Sequence, residues 1–330
     1  MRFFLIILFL HSLVVAQTSD KENVWSPDRN IRLSFWLSKG NPCYSVQFQN
    51  QLLIDSSGLG LQFRNQPAFE NNLKISEVKQ SSYNEVWTPV WGSSSQIRNE
   101  YHLAVFCLKE TKNTFIQLQI EFRIYNDIVA FRYLFPETQT DSLLIVSENS
   151  EFRFARNDSV WWIPSDEFAY ESLYRHTTLS SVHDANTPFT VVTPQYCISI
   201  HEAALTDYSE MVLVQDSSDS LCFRSKLWPW PDGICVRAKA PFHSPWRIIM
   251  ITRTPGELIL SNLIQNLNKP CAISDISWIK PVQFIGIWWG MHTGLYTWHA
   301  GPKHGATTRR TKQYIDFAAS NNIGGVLAEG

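Results

Sequence analysis

The sequence lacks the features that would indicate a membrane-spanning, nucleic-acid-binding or zinc-finger protein. After the N-terminal residues, no apolar run approaches the roughly 20 residues that a transmembrane helix needs. The formal net charge is only −2 at pH 7, so neither nucleic acid nor an acidic membrane surface is an expected partner. The six cysteines show no CxxC spacing. Most are expected to be buried thiols, although Cys222 and Cys235 flank the turn-rich "WPWPDG" and leave a disulfide across a hairpin open.

Residues 1–16 have the composition of an export signal. Arg2 precedes the apolar core of "MRFFLIILFLHSLVVAQ", and Ala16 is small enough for a leader peptidase to cut before Gln17. The apolar run is too short to span a bilayer comfortably, and no cysteine follows the cleavage site, so no membrane anchor is expected. The mature protein is therefore expected in the periplasm or outside the cell.

The segment 17–275 is predicted to be a large N-terminal β-sandwich. In "FIQLQIEFRIYND", apolar residues alternate with polar residues from Ile116 to Ile124, which is typical of a strand with one buried face. Similar segments include "IRLSFWLS", "IVAFRYLF", "YCISIHE" and "WRIIMITRT", separated by Asn, Gly, Pro and Ser. Many short strands with hardly any helical periodicity indicate a mainly β fold.

The pattern changes in residues 276–330, which read as β-loop-α-β. "VQFIGIWW" is an apolar run typical of a strand covered on both faces, and "TTRRTKQYIDFAASNN" has apolar residues at helical spacing after a capping threonine. "GGVLAEG" predicts a second buried strand. Because one such unit cannot cover its own strands, we expect it to be the first βαβ unit of a truncated (β/α)8 barrel.

Aromatic and imidazole side chains concentrate after the first strand of this unit. "IGIWWGMHTGLYTWHAGPKHGATT" holds three of the thirteen tryptophans and three of the nine histidines. In a (β/α) barrel the reactive groups follow the carboxyl ends of the strands, where Trp288 and Glu329 are placed. A tryptophan face with a nearby carboxylate suits a sugar ring and its hydroxyls, so this edge is predicted to bind carbohydrate. Trp289 is expected to pack on the opposite side of the strand.

The chain resembles glycoside hydrolase family 97 over nearly its whole mature length. The resemblance is carried by "SPDRNIRL", "SSGLGLQF", "WWIPSDEFAYE", "SIHEAALTDYSEM" and "PFHSPWRI" in the sandwich, and by "KPVQFIGIWWGM", "KHGATT", "YIDFAASNN" and "GVLAEG" in the barrel unit. It implies an exported α-glucosidase or α-galactosidase with a sandwich, a catalytic barrel and a small C-terminal β domain. It also implies a Ca²⁺ ion held by several glutamates, one of which is Glu171.

The same resemblance assigns roles to two further residues. Trp288 would line the subsite of the cleaved sugar, and Glu329 would be an active-site carboxylate that binds hydroxyls. His292 and His304 follow the first strand of the unit and are candidates for substrate contact, whereas their spacing does not fit a metal site. "WWGMH" followed by "GPKHGATT" favours the retaining, α-galactosidase-like members.

Two functions remain open from the sequence. The first is a calcium-dependent α-glycosidase acting on α-linked oligosaccharides, present here as an N-terminal fragment without the catalytic acid and the base or nucleophile, and therefore inactive alone. The second is a non-catalytic β-sandwich module that binds carbohydrate through exposed aromatic rings. Carboxylates at the ends of further barrel strands would distinguish the enzyme from the binding module.

Overall fold

The computed structural model describes residues 21–111, 117–136, 142–167 and 170–329. The predicted export signal and Ile116 lie outside these residues. The chain divides into two compact units, with the boundary between Pro270 and Cys271, five residues before the predicted one. Among the described residues, no helix is both long enough and apolar enough to cross a membrane.

The first unit consists almost entirely of β-strands. They are β1 (Glu22–Trp25), β2 (Ile31–Ser38), β3 (Asn41–Phe48), β4 (Gln51–Gly58), β5 (Leu61–Phe63), β6 (Leu73–Trp87), β7 (Ile97–Glu110), β8 (Gln117–Ile124), β9 (Ile128–Phe135), β10 (Leu143–Glu148), β11 (Glu151–Arg153), β12 (Ser159–Trp162), β13 (Arg175–Thr178), β14 (Asp184–Ala185), β15 (Phe189–Val192), β16 (Cys197–Ala203), β17 (Met211–Asp216), β18 (Asp219–Leu227), β19 (Val236–Ala238), β20 (Phe242–His243) and β21 (Trp246–Thr252). Two short helices follow, α1 (Pro255–Leu260) and α2 (Leu263–Asn266).

These strands form a large sheet and several smaller ones. The large sheet has the order β13-β12-β15-β16-β21-β9-β8-β7-β6, with β20 beside β9. The smaller sheets are β1-β2-β3-β4, β19-β10-β5 and β11-β18-β17-β14. The predicted mainly β, sandwich-type fold is confirmed.

The core of the first unit lies where strands of different sheets turn apolar side chains toward each other. In β8, Leu118, Ile120, Phe122 and Ile124 are buried, as the alternation predicts. Phe122 pairs in register with Phe131 of β9. From the four-stranded sheet, Phe35 stacks on Phe106 of β7 with 4.1 Å between ring centroids. Burial of such aromatic rings is the main stabilising term of this unit.

A buried ion cluster lies inside this apolar core. The fully buried Arg247 of β21 donates from Nε and Nη2 to the two carboxylate oxygens of Glu148 at 2.7 and 2.8 Å, and it also donates to Glu202. Glu202 accepts a further bond from the backbone N–H of Met211 at 3.3 Å. Glu202 therefore makes structural contacts inside the sandwich.

The cysteines contain no disulfide in the part of the chain that the structure describes. Cys222 and Cys235 are both buried free thiols. The Cys235 thiol donates to the backbone oxygen of Val146 at 3.2 Å, so it has a partner other than Cys222. The hairpin disulfide that the sequence left open is therefore absent.

The second unit has the predicted β-α-β order. Strand β22 (Phe284–Gly286) pairs in parallel with β23 (Gly325–Leu327), and the helices between them are α3 (Trp289–His292) and α4 (Thr308–Ser320). Thr307 caps α4, because its side chain accepts a bond from the Arg310 backbone N–H. The fold-class prediction of a first βαβ unit is confirmed, and the described residues contain no closed barrel.

Phe284 of β22 is 58% exposed, as expected for a unit that cannot cover its own strands. One local expectation for this unit is wrong. Trp289 is 63% exposed rather than packed. The physical reason is that the strand ends at Gly286, so Trp289 begins a helix and the strand alternation no longer fixes its direction.

Candidate functional site

An aromatic cluster follows the carboxyl end of β22. The rings of Trp288 and His292 meet edge to face with 5.2 Å between their centroids, and His292 meets Trp298 in the same way at 5.2 Å. Trp289 lies edge to face against Trp288 at 5.5 Å. We refer to Trp288, His292 and Trp298 as the tryptophan–histidine cluster. It brings together two of the predicted substrate-binding residues and adds Trp298, which the sequence alone did not single out.

Two glycines allow aromatic rings to lie directly against the backbone in this segment. A Cβ atom on Gly286 would lie 2.1 Å from Nε1 of Trp288, so only glycine allows the indole to fold back over the end of the strand. A Cβ atom on Gly290 would lie 2.5 Å from the ring of Tyr296. The glycines therefore fix where the Trp288 and Tyr296 rings can lie.

His304 lies in the loop that precedes α4. Thr297 and His304 form an isolated parallel bridge, and Arg310 donates to the backbone oxygens of His304 and Gly305 at 2.8 and 2.7 Å. The Arg310 guanidinium also lies 3.6 Å from the ring centroid of Tyr296. The His304 Nδ1 atom is buried and has no hydrogen-bond partner among the described residues. This loop is thus tied to α4, and one imidazole nitrogen is left without a partner.

Glu329 follows β23 at the same edge as Trp288. In the parallel register, Gly286 pairs with Leu327, and the Ile287 N–H donates to the Leu327 oxygen at 3.1 Å. Glu329 is exposed two residues later. The order of the two strands therefore places an aromatic group and a carboxylate at one edge, as the sequence predicted.

Glu171 is an exposed residue of the first unit, in the segment between β12 and β13. Its neighbour Tyr170 donates from its hydroxyl to Glu210. Ca²⁺ takes 6–8 oxygen ligands. Among the described residues, no three histidine, cysteine or carboxylate side chains group together as metal ligands. Among the described residues, Glu171 is therefore not part of a cluster of carboxylates that could hold the ion.

The second unit holds several aromatic and imidazole side chains but few carboxylates. Its described carboxylates are Asp275, Asp316 and Glu329, and only Glu329 follows a strand. Hydrolysis of a glycoside needs two carboxyl groups flanking the scissile bond. The aromatic cluster and one carboxylate can contact rings and hydroxyls, but they do not supply such a pair.

Comparison with protein families gives two matches along the chain. The profile "Glycosyl-hydrolase 97 N-terminal" matches residues 24–270, and "Glycoside hydrolase 97" matches residues 288–330. The chain belongs to glycoside hydrolase family 97. The two matches follow the two compact units of the structure, and the second begins at Trp288.

Solved family 97 structures are similar to this chain. A family 97 enzyme from Pseudoalteromonas sp. strain K8, in complex with acarbose, is 37% identical with a TM-score of 0.86, and the match covers 93% of this chain and 47% of that chain. A variant of that enzyme in complex with panose gives the same values. A β-arabinopyranosidase at 19% identity and a TM-score of 0.80, covering 93% of this chain and 50% of that one, shares the fold.

A curated relative is the retaining α-galactosidase of Bacteroides thetaiotaomicron. It is 24% identical over 362 residues, which cover 99% of this chain and 52% of the relative. The chain therefore spans about half the length of the family 97 proteins that it matches.

Proposed function

We propose that this chain forms the β-sandwich and the first barrel unit of an exported, calcium-dependent α-glycosidase that hydrolyses α-linked oligosaccharides. The observation that carries the proposal is the tryptophan–histidine cluster at the carboxyl end of β22, within the part of the chain that matches family 97. Relatives solved with acarbose and panose support an oligosaccharide as the substrate.

Each site residue has a distinct proposed role. Trp288 stacks on the apolar face of the sugar, and His292 stays beside it as a hydrogen-bonding edge. His304 is proposed as a further substrate contact through its imidazole, whose nitrogens donate or accept according to the tautomer. Glu329 is proposed as an active-site carboxylate that accepts bonds from sugar hydroxyls.

Calcium dependence is proposed through Glu171. An exposed carboxylate is suited to a hard cation, and Ca²⁺ in a glycosidase can polarise an oxygen of the bound sugar. The other ligands would come from carboxylates outside the described residues. A calcium titration by calorimetry measures this directly, without relying on activity.

The described residues alone are expected to bind a sugar and not to hydrolyse it. Only one carboxylate of the second unit follows a strand, whereas acid catalysis and attack at the sugar require two. The alternative function, a carbohydrate-binding module without catalysis, is favoured by this same observation. The two functions therefore differ in what the complete gene product does.

The deciding experiment compares the 330-residue chain with the complete product of its gene. Both are assayed on nitrophenyl α-glucoside and nitrophenyl α-galactoside, with calcium and with a chelator. We expect calcium-dependent hydrolysis of one substrate by the complete product and none by the chain. Sugar binding without hydrolysis by either protein would support the binding module instead. Sequencing the N-terminus of the secreted protein tests export, with Gln17 as the expected first residue.

A further inference from the structure

The first unit contains a cavity whose lining residues have no role in the proposed function. Its volume is about 640 Å³, and it is lined by the segment before β17, the segment after β18 and the start of β19. This size is within the range of small-molecule sites. We call it the Trp230 cavity, and its aromatic and charged lining includes Asp207, Tyr208, Trp228, Trp230 and Arg237.

Trp230 gives this cavity an uncovered aromatic surface. The side chain is 63% exposed, although tryptophan is usually well covered in a folded protein. Trp228 is half-buried, and the ammonium group of Lys226 lies 4.5 Å from its ring centroid. One tryptophan is therefore already engaged by a cation, while the other remains available to a ligand.

Hydrogen bonds hold the walls of the cavity in place. The Tyr208 hydroxyl donates to Glu148 at 2.8 Å, which connects the cavity to the buried ion cluster. The Ser209 hydroxyl accepts from the backbone N–H of Trp228 at 2.9 Å and donates to the backbone oxygen of Trp228 at 3.0 Å. The Trp230 backbone is held in a turn, since its N–H donates to Ile234 at 2.9 Å. A site whose walls are already ordered binds its ligand at a lower entropic cost.

The charges around the cavity balance each other. Arg237 is paired with Asp232, while Asp207 and Lys226 contribute one further charge of each sign. A balanced set of charges does not favour an anion or a cation, but it offers hydrogen-bond donors and acceptors beside an aromatic ring. These are the groups that a neutral sugar needs.

We propose that the Trp230 cavity of the β-sandwich is a saccharide-binding site that takes a neutral α-linked oligosaccharide. Trp230 supplies the stacking surface, and Asp207 and Arg237 at the rim contact hydroxyls. The ligand class rests on the proposed function, whereas the cavity itself does not. Its role would be to hold a chain of sugars on the protein independently of hydrolysis.

The test measures maltotetraose binding to the 330-residue chain by calorimetry and by the indole N–H signals of its thirteen tryptophans in NMR. Trp230→Ala should weaken binding about tenfold, which corresponds to about 1.4 kcal/mol. The matched control is Trp91→Ala, because Trp91 is 65% exposed and does not line the cavity. The signal that disappears in the Trp230 variant should be the one that maltotetraose shifts most.

The outcomes separate this proposal from the catalytic one. Loss of affinity in the Trp230 variant alone supports the cavity as the site, even if the complete gene product hydrolyses neither nitrophenyl glycoside. Equal affinities in wild type and both variants would overturn it, as would the absence of maltotetraose binding to the wild-type chain.

Discussion

Replacing Arg247 with methionine tests how the ion cluster stabilises the sandwich. Arg247 and Glu148 are fully buried, and Glu202 is 8% exposed, so the substitution leaves two carboxylates in the core without their cation. Removing one partner of a buried ion pair costs about 3–5 kcal/mol. For a domain of this size, that loss lowers the melting temperature by about 6–20 °C.

The matched control is Arg98→Met. Arg98 pairs with Glu100 at 3.1 Å, but its side chain is 62% exposed, and such surface pairs contribute about 0.2–1 kcal/mol. Urea unfolding at pH 7, followed by tryptophan fluorescence, gives the unfolding free energy of each variant. A Glu148→Gln change added to Arg247→Met should recover part of the loss, because it removes one uncompensated charge.

Acid titration distinguishes lost charge pairing from lost packing. Burial alone would raise the pKa of Glu148, but the attraction and hydrogen bonds of Arg247 outweigh it and hold this pKa below its ordinary value. In the wild type, this carboxylate therefore contributes stability above its unfolded pKa, and the contribution is lost as the pH falls through the folded pKa. In Arg247→Met, protonation instead relieves a buried charge, so the difference between the two proteins should shrink on acidification. A difference independent of pH, or a loss no larger than that of Arg98→Met, would refute the reasoning.

Three further predictions concern the site and the acid response. Glu171→Gln in the complete product should weaken calcium binding and lower turnover together; calcium dependence that stays unchanged would reject the metal role. Trp288→Ala should raise KM about tenfold by removing a stacking surface, with Trp91→Ala as the control, and a normal KM would contradict the subsite. Burial raises the pKa of the Asp127 carboxyl from 3.8 to about 6. The protonated carboxyl therefore stabilises the folded state below pH 3.8, and this contribution is lost as the pH rises from 3.8 to 6. Asp127→Asn should therefore remove a fall in the unfolding free energy between pH 4 and 6, and an unchanged slope would exclude this carboxyl as its source.

The sequence predicts the strands better than it predicts their partners. Alternation identified the buried face of β8, because side-chain direction in a strand is a local property. The pairing of β9 with β21 joins Phe131 to Arg247 across more than a hundred residues, and local alternation contains no information about such a partner. The same limit applies to the buried ion cluster. Glu148, Glu202 and Arg247 come from three separate strands and meet only in the folded sheets.

The site was predictable to the extent that it follows the ends of strands. Trp288 and Glu329 lie at one edge because the two strands are parallel, as the β-α-β pattern indicated. The direction of Trp289 was not predictable by alternation, since the chain turns into a helix directly after Trp288. The contact of Trp298 with His292 depends on how the following loop folds, which only the structure shows. The turn-rich "WPWPDG" indicated a turn near Trp230, but it did not indicate that a cavity forms there.

The ion cluster and the Trp230 cavity are parts of one structural feature. A buried ion cluster often stabilises a protein no more than apolar side chains of similar volume would. A second effect of such a cluster is to fix the positions of the side chains that it contacts. Glu148 Oε2 accepts from both Arg247 and Tyr208, at 2.8 Å in each case. The cluster thus fixes the position of a tyrosine that lines the cavity. It follows that Arg247 supports both the stability of the sandwich and the shape of the proposed sugar site, whereas Trp230, exposed at the rim, acts on binding alone.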